Sequence, residues 1–431
     1  MNYYSLNKNA PNVSFKEAVI KGIAPDAGLY FPKHISPLPK SFFDNIDSFS
    51  HSEIAFQTIK QFASQDIPET ILKQIVEETL SFGFPIVKLN EHISTLELFH
   101  GPTMAFKDVG ARFMARCLGH FNKNNNQEVT VLVATSGDTG GAVANGFLGV
   151  KGVNVVILYP SGKVSDIQEK QLTTLGQNIT ALEVNGVFDD CQDMVKQAFL
   201  DNDITNKKQL TSANSINVAR WLPQMFYFMF AYKHLYKQYE NIVFSVPSGN
   251  FGNICAGMMA QQLGLPVNHF VAANNNNNVV ANYLESGRYI PKSSVQTISN
   301  AMDVGNPSNF VRIQEIYGND FNRLKSNLSS FHYSDDETRS AMLELFQNYN
   351  YVADPHGAVG YLGCKDHLKT NPNAHCVFLE TAHPVKFLDV VEDTIGQTVS
   401  IPEQIKVVID KNKVATKISS YEELKTFLLN T

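Results

Sequence analysis

Two stretches of the chain have the make-up of an anion-binding turn: Thr135-Ser136-Gly137-Asp138-Thr139-Gly140-Gly141 and Pro247-Ser248-Gly249-Asn250-Phe251-Gly252-Asn253. Each lies between an apolar run and a helical pattern, so free backbone N–H groups and the positive end of a helix dipole converge there. Neither matches the Walker motif or the GxGxxG dinucleotide fingerprint. The second turn has no acidic side chain, and Gly249, Asn250, Phe251 and Asn253 are the candidates for cupping a phosphate monoester. The first turn contains Asp138, which would repel a dianion; its hydroxyls at Thr135, Ser136 and Thr139 suit a carboxylate or a polar ring substituent instead. A purely structural strand-to-helix turn is the alternative for each.

Lys107 stands where the irregular loop of His100-Gly-Pro-Thr-Met-Ala-Phe-Lys-Asp108 gives way to a helix. A lysine there opposes the helix dipole, which favours the neutral amine that imine formation needs. The alternative is a solvated surface lysine. An amine at one end and a phosphate cup at the other are the two anchors that pyridoxal phosphate requires. Thr381, after the last apolar run, is placed to hydrogen-bond a neutral pyridine nitrogen or, alternatively, to cap a strand. Ser212-Ala-Asn-Ser-Ile-Asn217-Val-Ala-Arg220 gathers amides and a guanidinium able to grip a phosphate; a helix N-cap with a structural arginine is the other reading. His100, His356 and His383 lack metal-ligand spacing and are read as structural unless the fold brings them into a cleft. No metal site is expected.

These residues need a scaffold that brings distant turns together. VTVLVAT, VNVVILYP and ITALEV alternate with helical segments after Val129, and IVFSVP, VNHFVAA and AHCVFLET continue the pattern later in the chain. Continuous apolar strands alternating with helices imply an α/β fold with doubly wound parallel sheets. Clefts in such sheets form at the carboxyl ends of strands, where all these candidates fall. The expected organisation is an N-terminal helical segment (1–95), a smaller α/β domain with Lys107 and the first turn (96–215), and a larger one with the phosphate cup (216–431). Thr211–Asn217 reads as a linker. Asn122–Gln127 and the run Asn274–Asn278 read as exposed loops.

The chain has 431 residues, 43% of them hydrophobic and 18% charged, with a net charge of −6. That composition excludes a disordered chain and offers nucleic acid or anionic lipid no bulk attraction. Five cysteines without CxxC spacing point away from zinc ribbons and disulfide scaffolds and toward a reducing compartment. The N-terminus lacks the features of a secretory signal, so a cytoplasmic location is expected. The most apolar helical run, Trp221–Tyr232, falls short of the roughly 20 residues that span a bilayer and reads as a buried helix.

In this order, GLYFP, HGPTMAFKD, TSGDTGGA, VILYPSGKVS, SANSIN, VPSGNFGN, NAMDVGNPSN and TAHPVKF resemble the threonine synthases of enterobacteria and yeast, from Gly28 to near residue 395. The resemblance implies a fold-type II pyridoxal phosphate enzyme, similar to tryptophan synthase β, that converts O-phospho-L-homoserine and water into L-threonine and phosphate by γ-elimination and β-addition. It further implies Lys107 as the Schiff-base lysine; Gly249, Asn250, Phe251 and Asn253 as the cofactor phosphate cup; and Thr381 as the partner of the pyridine nitrogen. Thr135, Ser136, Asp138 and Thr139 are implied near the substrate carboxylate, with Lys163, Asn217 and Arg220 as candidates for the substrate phosphate. A monomer or small homo-oligomer acting on a small molecule, without nucleic acid or membrane, is expected. The competing readings are another fold-type II lyase, such as a serine/threonine dehydratase or cysteine synthase, and a non-catalytic protein that retains the fold.

Overall fold

The computed structural model describes residues 1–123 and 128–431. An antiparallel pair, β1 (Tyr3–Ser5) and β2 (Tyr30–Pro32), opens the chain and is followed by helices up to Thr79. The strands β3 (Ile86–Lys88), β4 (Ile93–Glu97), β5 (Val129–Ala134), β6 (Val153–Pro160), β7 (Ile179–Val184) and β8 (Gln209–Ser212) come next. They are followed by β9 (Ile242–Pro247), β10 (His269–Asn274), β11 (Leu328–His332), β12 (His375–Glu380) and β13 (Thr416–Ile418). Every residue of β5, β9 and β12 is buried. Helices cover both faces of these sheets, which is why the strands are continuous apolar runs rather than alternating ones.

Two sheets result, a five-stranded one in the order β13-β7-β6-β5-β8 and a six-stranded one in the order β11-β10-β9-β12-β4-β3. All pairs within them are parallel except β3 with β4. The α/β class and the doubly wound sheets match the expectation. Strand pairing crosses the expected domain limits in two places, however. β4 pairs with β12 in the larger sheet, and β13, near the C-terminus, returns to β7 in the smaller. Thr211–Asn217 is not a free linker either, since β8 runs into it and pairs with β5.

The strand orders explain where the site forms. In the larger sheet the chain leaves β9 toward β10 on one side, while β12 pairs on the other, so β9 and β12 flank a topological switch point. In the smaller sheet β5 is flanked by β6 and β8 in the same way. Crevices open at the carboxyl ends of strands at such points. The second glycine turn follows β9, Thr381 follows β12, the first glycine turn follows β5, and Ser212–Asn217 follows β8.

Five helices carry the site: α1 (Lys107–Asn122), α2 (Asp138–Phe147), α3 (Val218–Trp221), α4 (Gly252–Gln262) and α5 (Pro355–Thr370). The segment Met225–Leu235 is the buried helix expected from its composition, with Met225 through Ala231 fully shielded from solvent. Among the described residues no helix is long and apolar enough to cross a membrane, and no cluster of three or more His, Cys, Asp or Glu could hold a metal.

Two loop expectations need correction. Asn122 is not exposed but ends α1, buried, with its Nδ2 donating to the Gly152 carbonyl at 2.6 Å; residues 124–127 lie outside the described residues. The asparagine run is not an exposed tip: Asn274, Asn275 and Asn277 are buried. Asn275 Nδ2 donates to Thr297 Oγ1 at 2.8 Å and to Asp303 Oδ1 at 2.9 Å, and Asn277 Nδ2 reaches the same carboxylate oxygen at 3.1 Å. Buried amides persist because a distant segment satisfies them.

Candidate active site

A cleft of roughly 860 Å³, counting its open mouth, lies between the two sheets and is lined by residues from both. Lys107, the first residue of α1, reaches into it. The backbone before it is fixed by Phe106 N–H, which donates to the Thr381 carbonyl at 2.8 Å, and by Tyr227, whose hydroxyl donates to the Phe106 carbonyl. The side chain is half-buried and borders the cleft. Burial pushes its amine down to about 8, with Lys386 and Arg220 acting in the same direction and Asp138 against them.

The second glycine turn lines the same cleft. Phe251 takes a left-handed conformation (φ +59°) as the residue before α4, and its ring is buried against Phe310. A bulky residue is uncommon in that region, so the turn is held there by its surroundings. Gly249 is required by close approach: a Cβ there would stand 2.8 Å from the Ala301 carbonyl oxygen and 2.8 Å from Met302 Cα. Asn253 closes the turn, with Nδ2 donating to the Pro247 carbonyl at 2.8 Å and Oδ1 accepting the Ile254 N–H at 2.9 Å. Asn250 is held through its side-chain oxygen, which accepts from Ser308 Oγ at 3.1 Å. Among the described residues, the N–H groups of Gly249, Asn250 and Phe251 have no backbone acceptor. Three unclaimed donors at a helix start, with no carboxylate in the turn, fit a phosphate.

Thr381 is buried at the end of β12 and borders the cleft, its hydroxyl without a partner among the described residues. Lys107, the cup and Thr381 therefore face one space. The donor set, an amine of lowered basicity with a phosphate cradle and a neutral hydroxyl, fits pyridoxal phosphate.

The first turn divides differently from the sequence reading. Ser136 and Thr139 border the cleft with open hydroxyls. Thr135 also lines it, but its Oγ1 accepts the N–H groups of Gly137 at 3.0 Å and Gly140 at 2.8 Å and so is occupied in shaping the turn. Gly137 (φ +139°) sits against the Gln168 side chain where a Cβ would not fit. Asp138 does not border the cleft. Its Oδ1 accepts from Lys386 Nζ at 2.7 Å and from Gln168 Nε2 at 2.9 Å. Burial alone would raise this carboxyl, but the charges of Lys386 and Lys107 and those hydrogen bonds hold it well below the usual carboxylate range.

Of the residues considered for a substrate phosphate, Arg220 alone lines the cleft. It is buried, donates through Nη1 to the Ala213 carbonyl, and leaves its Nε without a partner. Burial lowers its pKa to about 10, and it forms no salt bridge among the described residues. Asn217 points elsewhere: its Nδ2 donates to the Val19 and Ser212 carbonyls and its Oδ1 caps Ala219 N–H, so the N-cap reading holds. Lys163 is exposed on the turn after β6, away from the cleft.

Sequence reasoning missed the loop Asn300–Val304, which lines the cleft beside the cup. It is fastened on one side by the asparagine network around Asp303. On the other side His356 lines the cleft and accepts the Ala301 N–H on Nε2 at 3.2 Å, while its Nδ1 stands 2.6 Å from Asp354 Oδ1. That pattern puts the ring proton on Nδ1. The Asn300 side-chain oxygen is buried without a partner. His100 and His383 remain structural: one pairs with Glu97 at 2.7 Å, the other caps the turn at Val385.

Comparison with known proteins agrees with this geometry. The family model "Pyridoxal-phosphate dependent enzyme" matches residues 87–381, "Threonine synthase N terminus" matches 2–80, and "Threonine synthase, C-terminal" matches 357–428. The chain is 42% identical to a threonine synthase of Buchnera aphidicola over 438 aligned residues, covering all of both chains. The crystal structure of Escherichia coli threonine synthase superposes with a TM-score of 0.94 at 40% identity, again with full coverage of both. A pyridoxal-phosphate-bound threonine synthase from Brucella melitensis superposes at 0.92 with 32% identity, covering 100% of this chain and 99% of that one.

Proposed function

The chain belongs to the threonine synthases, a family of fold-type II pyridoxal-phosphate-dependent enzymes, and from that premise we propose how its residues share the reaction. The enzyme converts O-phospho-L-homoserine and water into L-threonine and inorganic phosphate. When bound, pyridoxal phosphate supplies a carbonyl carbon that takes up amines and a ring that accepts the electron pair left after proton removal. The N–H groups of Gly249, Asn250 and Phe251 hold its phosphate, with Asn253 shaping the turn. The Thr381 hydroxyl would donate to its ring nitrogen and, unlike a carboxylate there, would leave that nitrogen neutral. Lys107 is the amine that anchors it.

Lys107 also moves the proton at the substrate's Cα. An amine near 8 is neutral in a substantial fraction at cellular pH and returns the proton as readily as it takes it. Ser136 and Thr139 receive the substrate carboxylate, and Arg220 receives its phosphate. Lys163 and Asn217 have no part in this division.

The observation that carries the reading is Arg220: a buried guanidinium in the cleft with no carboxylate partner among the described residues. A buried cation that is left unpaired is costly, and an incoming phosphate resolves it. A dehydratase or cysteine synthase of the kind considered above has no use for a second phosphate site. Incubation with O-phospho-L-homoserine is expected to release phosphate and threonine in equal amounts in the wild type and neither in Lys107→Ala. Phosphate accompanied by a 2-oxo acid would favour the dehydratase reading instead.

The cleft is of a size for a small molecule, and action on one as a monomer or small homo-oligomer, without nucleic acid or membrane, is part of the same proposal. The five cysteines are free and buried. That supports a reducing, cytoplasmic setting.

A further inference from the structure

Lys386 has no role in the reaction as described, yet it is fully buried, and its surroundings bind it to the site from three directions. Its Nζ is 2.7 Å from Asp138 Oδ1, at the start of α2, and donates to the Thr103 carbonyl at 2.9 Å. Thr103 in turn grips the residue after the catalytic lysine: its N–H donates to Asp108 Oδ2 at 2.9 Å and its hydroxyl to Oδ1 at 2.5 Å. Gln171 donates to the same Thr103 carbonyl, and Gln168 to Asp138. One cation thus ties the first turn of the small sheet, the loop ahead of Lys107 and the segment after Thr381 together.

Fold stability does not explain this arrangement. Asp138 lies at a helix N-terminus, where a carboxylate is already favoured, and it has an amide partner. Burying a lysine beside it incurs desolvation of both charges, and buried pairs of this kind are often replaceable by apolar groups without loss of stability.

We propose, building on the functional reading above, that Lys386 is a positioning residue that holds Asp138 away from Lys107 and cancels its charge, so that Lys107 remains a neutral amine. Without Lys386, the uncompensated charge of Asp138, which acts to raise the basicity of Lys107, would draw a proton onto it. The charged groups acting on Lys107 are Asp138 on α2, Lys386 on the segment after β12 and Arg220 on α3. Asp303 and His356 line the same cleft. Asp138 alone raises the basicity of Lys107; Lys386 and Arg220 lower it.

The test is the pH dependence of cofactor uptake by the apoprotein, read by borohydride reduction and mass analysis of the Lys107 peptide. Uptake joins the amine nitrogen to the aldehyde carbon and releases one water, and only the neutral amine adds. In Lys386→Met the midpoint is expected to rise by about one pH unit, the low end of the effect of an uncompensated opposite charge nearby. In Asp138→Asn it falls, in the double variant Asp138→Asn/Lys386→Met it returns toward wild type, and Lys386→Arg keeps the wild-type midpoint. A merely structural role would lower melting temperature without moving these midpoints in opposite directions. A folded Lys386→Met with the wild-type midpoint overturns the proposal. Should that variant not fold, Asp138→Asn decides: a midpoint that does not fall overturns it equally. Wild-type apoprotein that takes up no cofactor would refute the functional reading rather than this assignment.

Discussion

Gly249→Ala is the smallest change that presses on the cofactor's phosphate end. The added Cβ would stand 2.8 Å from both the Ala301 carbonyl oxygen and Met302 Cα, against at least 3.4 Å for ordinary contact, so backbone must move by about 0.6 Å. Gly249 has no positive φ, so alanine adds no torsional strain and the whole effect is steric. Neither side yields easily. The Ala301 segment is fastened by His356 and by the Asp303 network, and the turn itself is closed by Asn253. Overpacking of this kind costs about 1–3 kcal/mol, which corresponds to a Kd for pyridoxal phosphate raised roughly 5- to 150-fold. The assay is absorbance titration of the apoprotein with pyridoxal phosphate and, in parallel, with pyridoxal, which lacks the phosphate. Affinity for the first should fall while that for the second holds. Adding Asn275→Ala frees the Ala301 segment, so the double variant should lose less than the sum of the singles, with coupling of about 0.5 kcal/mol or more. A folded Gly249→Ala protein with wild-type affinity would refute the reasoning, as would equal losses for both ligands.

Three further outcomes follow from the same structure. Arg220→Met should raise KM for O-phospho-L-homoserine roughly 10- to 150-fold, the loss of charge-assisted hydrogen bonds worth about 1.5–3 kcal/mol, while cofactor absorbance is retained; an unchanged KM would remove Arg220 from the phosphate site. Asn275→Ala alone should lower stability to urea by about 1–3 kcal/mol, because it strips donors from half-buried Asp303 and buried Thr297. Buried His375, stacked on Tyr239, is held by burial at about 4 against an unperturbed 6.5. The native state therefore binds fewer protons than the unfolded one between those values. Stability should be intact above 6.5 and fall by up to about 1.4 kcal/mol per pH unit as pH drops toward 4. His375→Gln should flatten that slope in urea unfolding curves, and an unaltered slope would contradict the assignment.

The strands that build the site were legible because burial on both faces leaves a continuous apolar run, as in VTVLVA and HCVFLE. The glycine turns were legible because anion binding there uses backbone, and the backbone demands glycine locally. What escaped notice depends on partners far along the chain. β8 is a short polar strand whose identity comes from pairing with β5, and β13 pairs with β7, whose residues stand about 230 positions earlier in the chain. The asparagine run has the composition of a solvated loop, and only Thr297 and Asp303 make it a buried network. Asp138 reads as a substrate ligand until Lys386, in a motif of its own near the other end of the chain, turns out to neutralise it. Arg220 and Asn217 stand three residues apart in one motif, yet the helix they begin points one into the cleft and the other into the wall.

The central claim, that this cleft eliminates phosphate from a phosphorylated amino acid and adds water to the product, is tested most directly in water enriched in oxygen-18. With O-phospho-L-homoserine, the account predicts threonine and phosphate in equal amounts, the label in the threonine hydroxyl and none in the phosphate. Label in the phosphate would mean hydrolysis at phosphorus, and 2-oxobutanoate with ammonium in place of threonine would mean elimination without addition; either result contradicts the account.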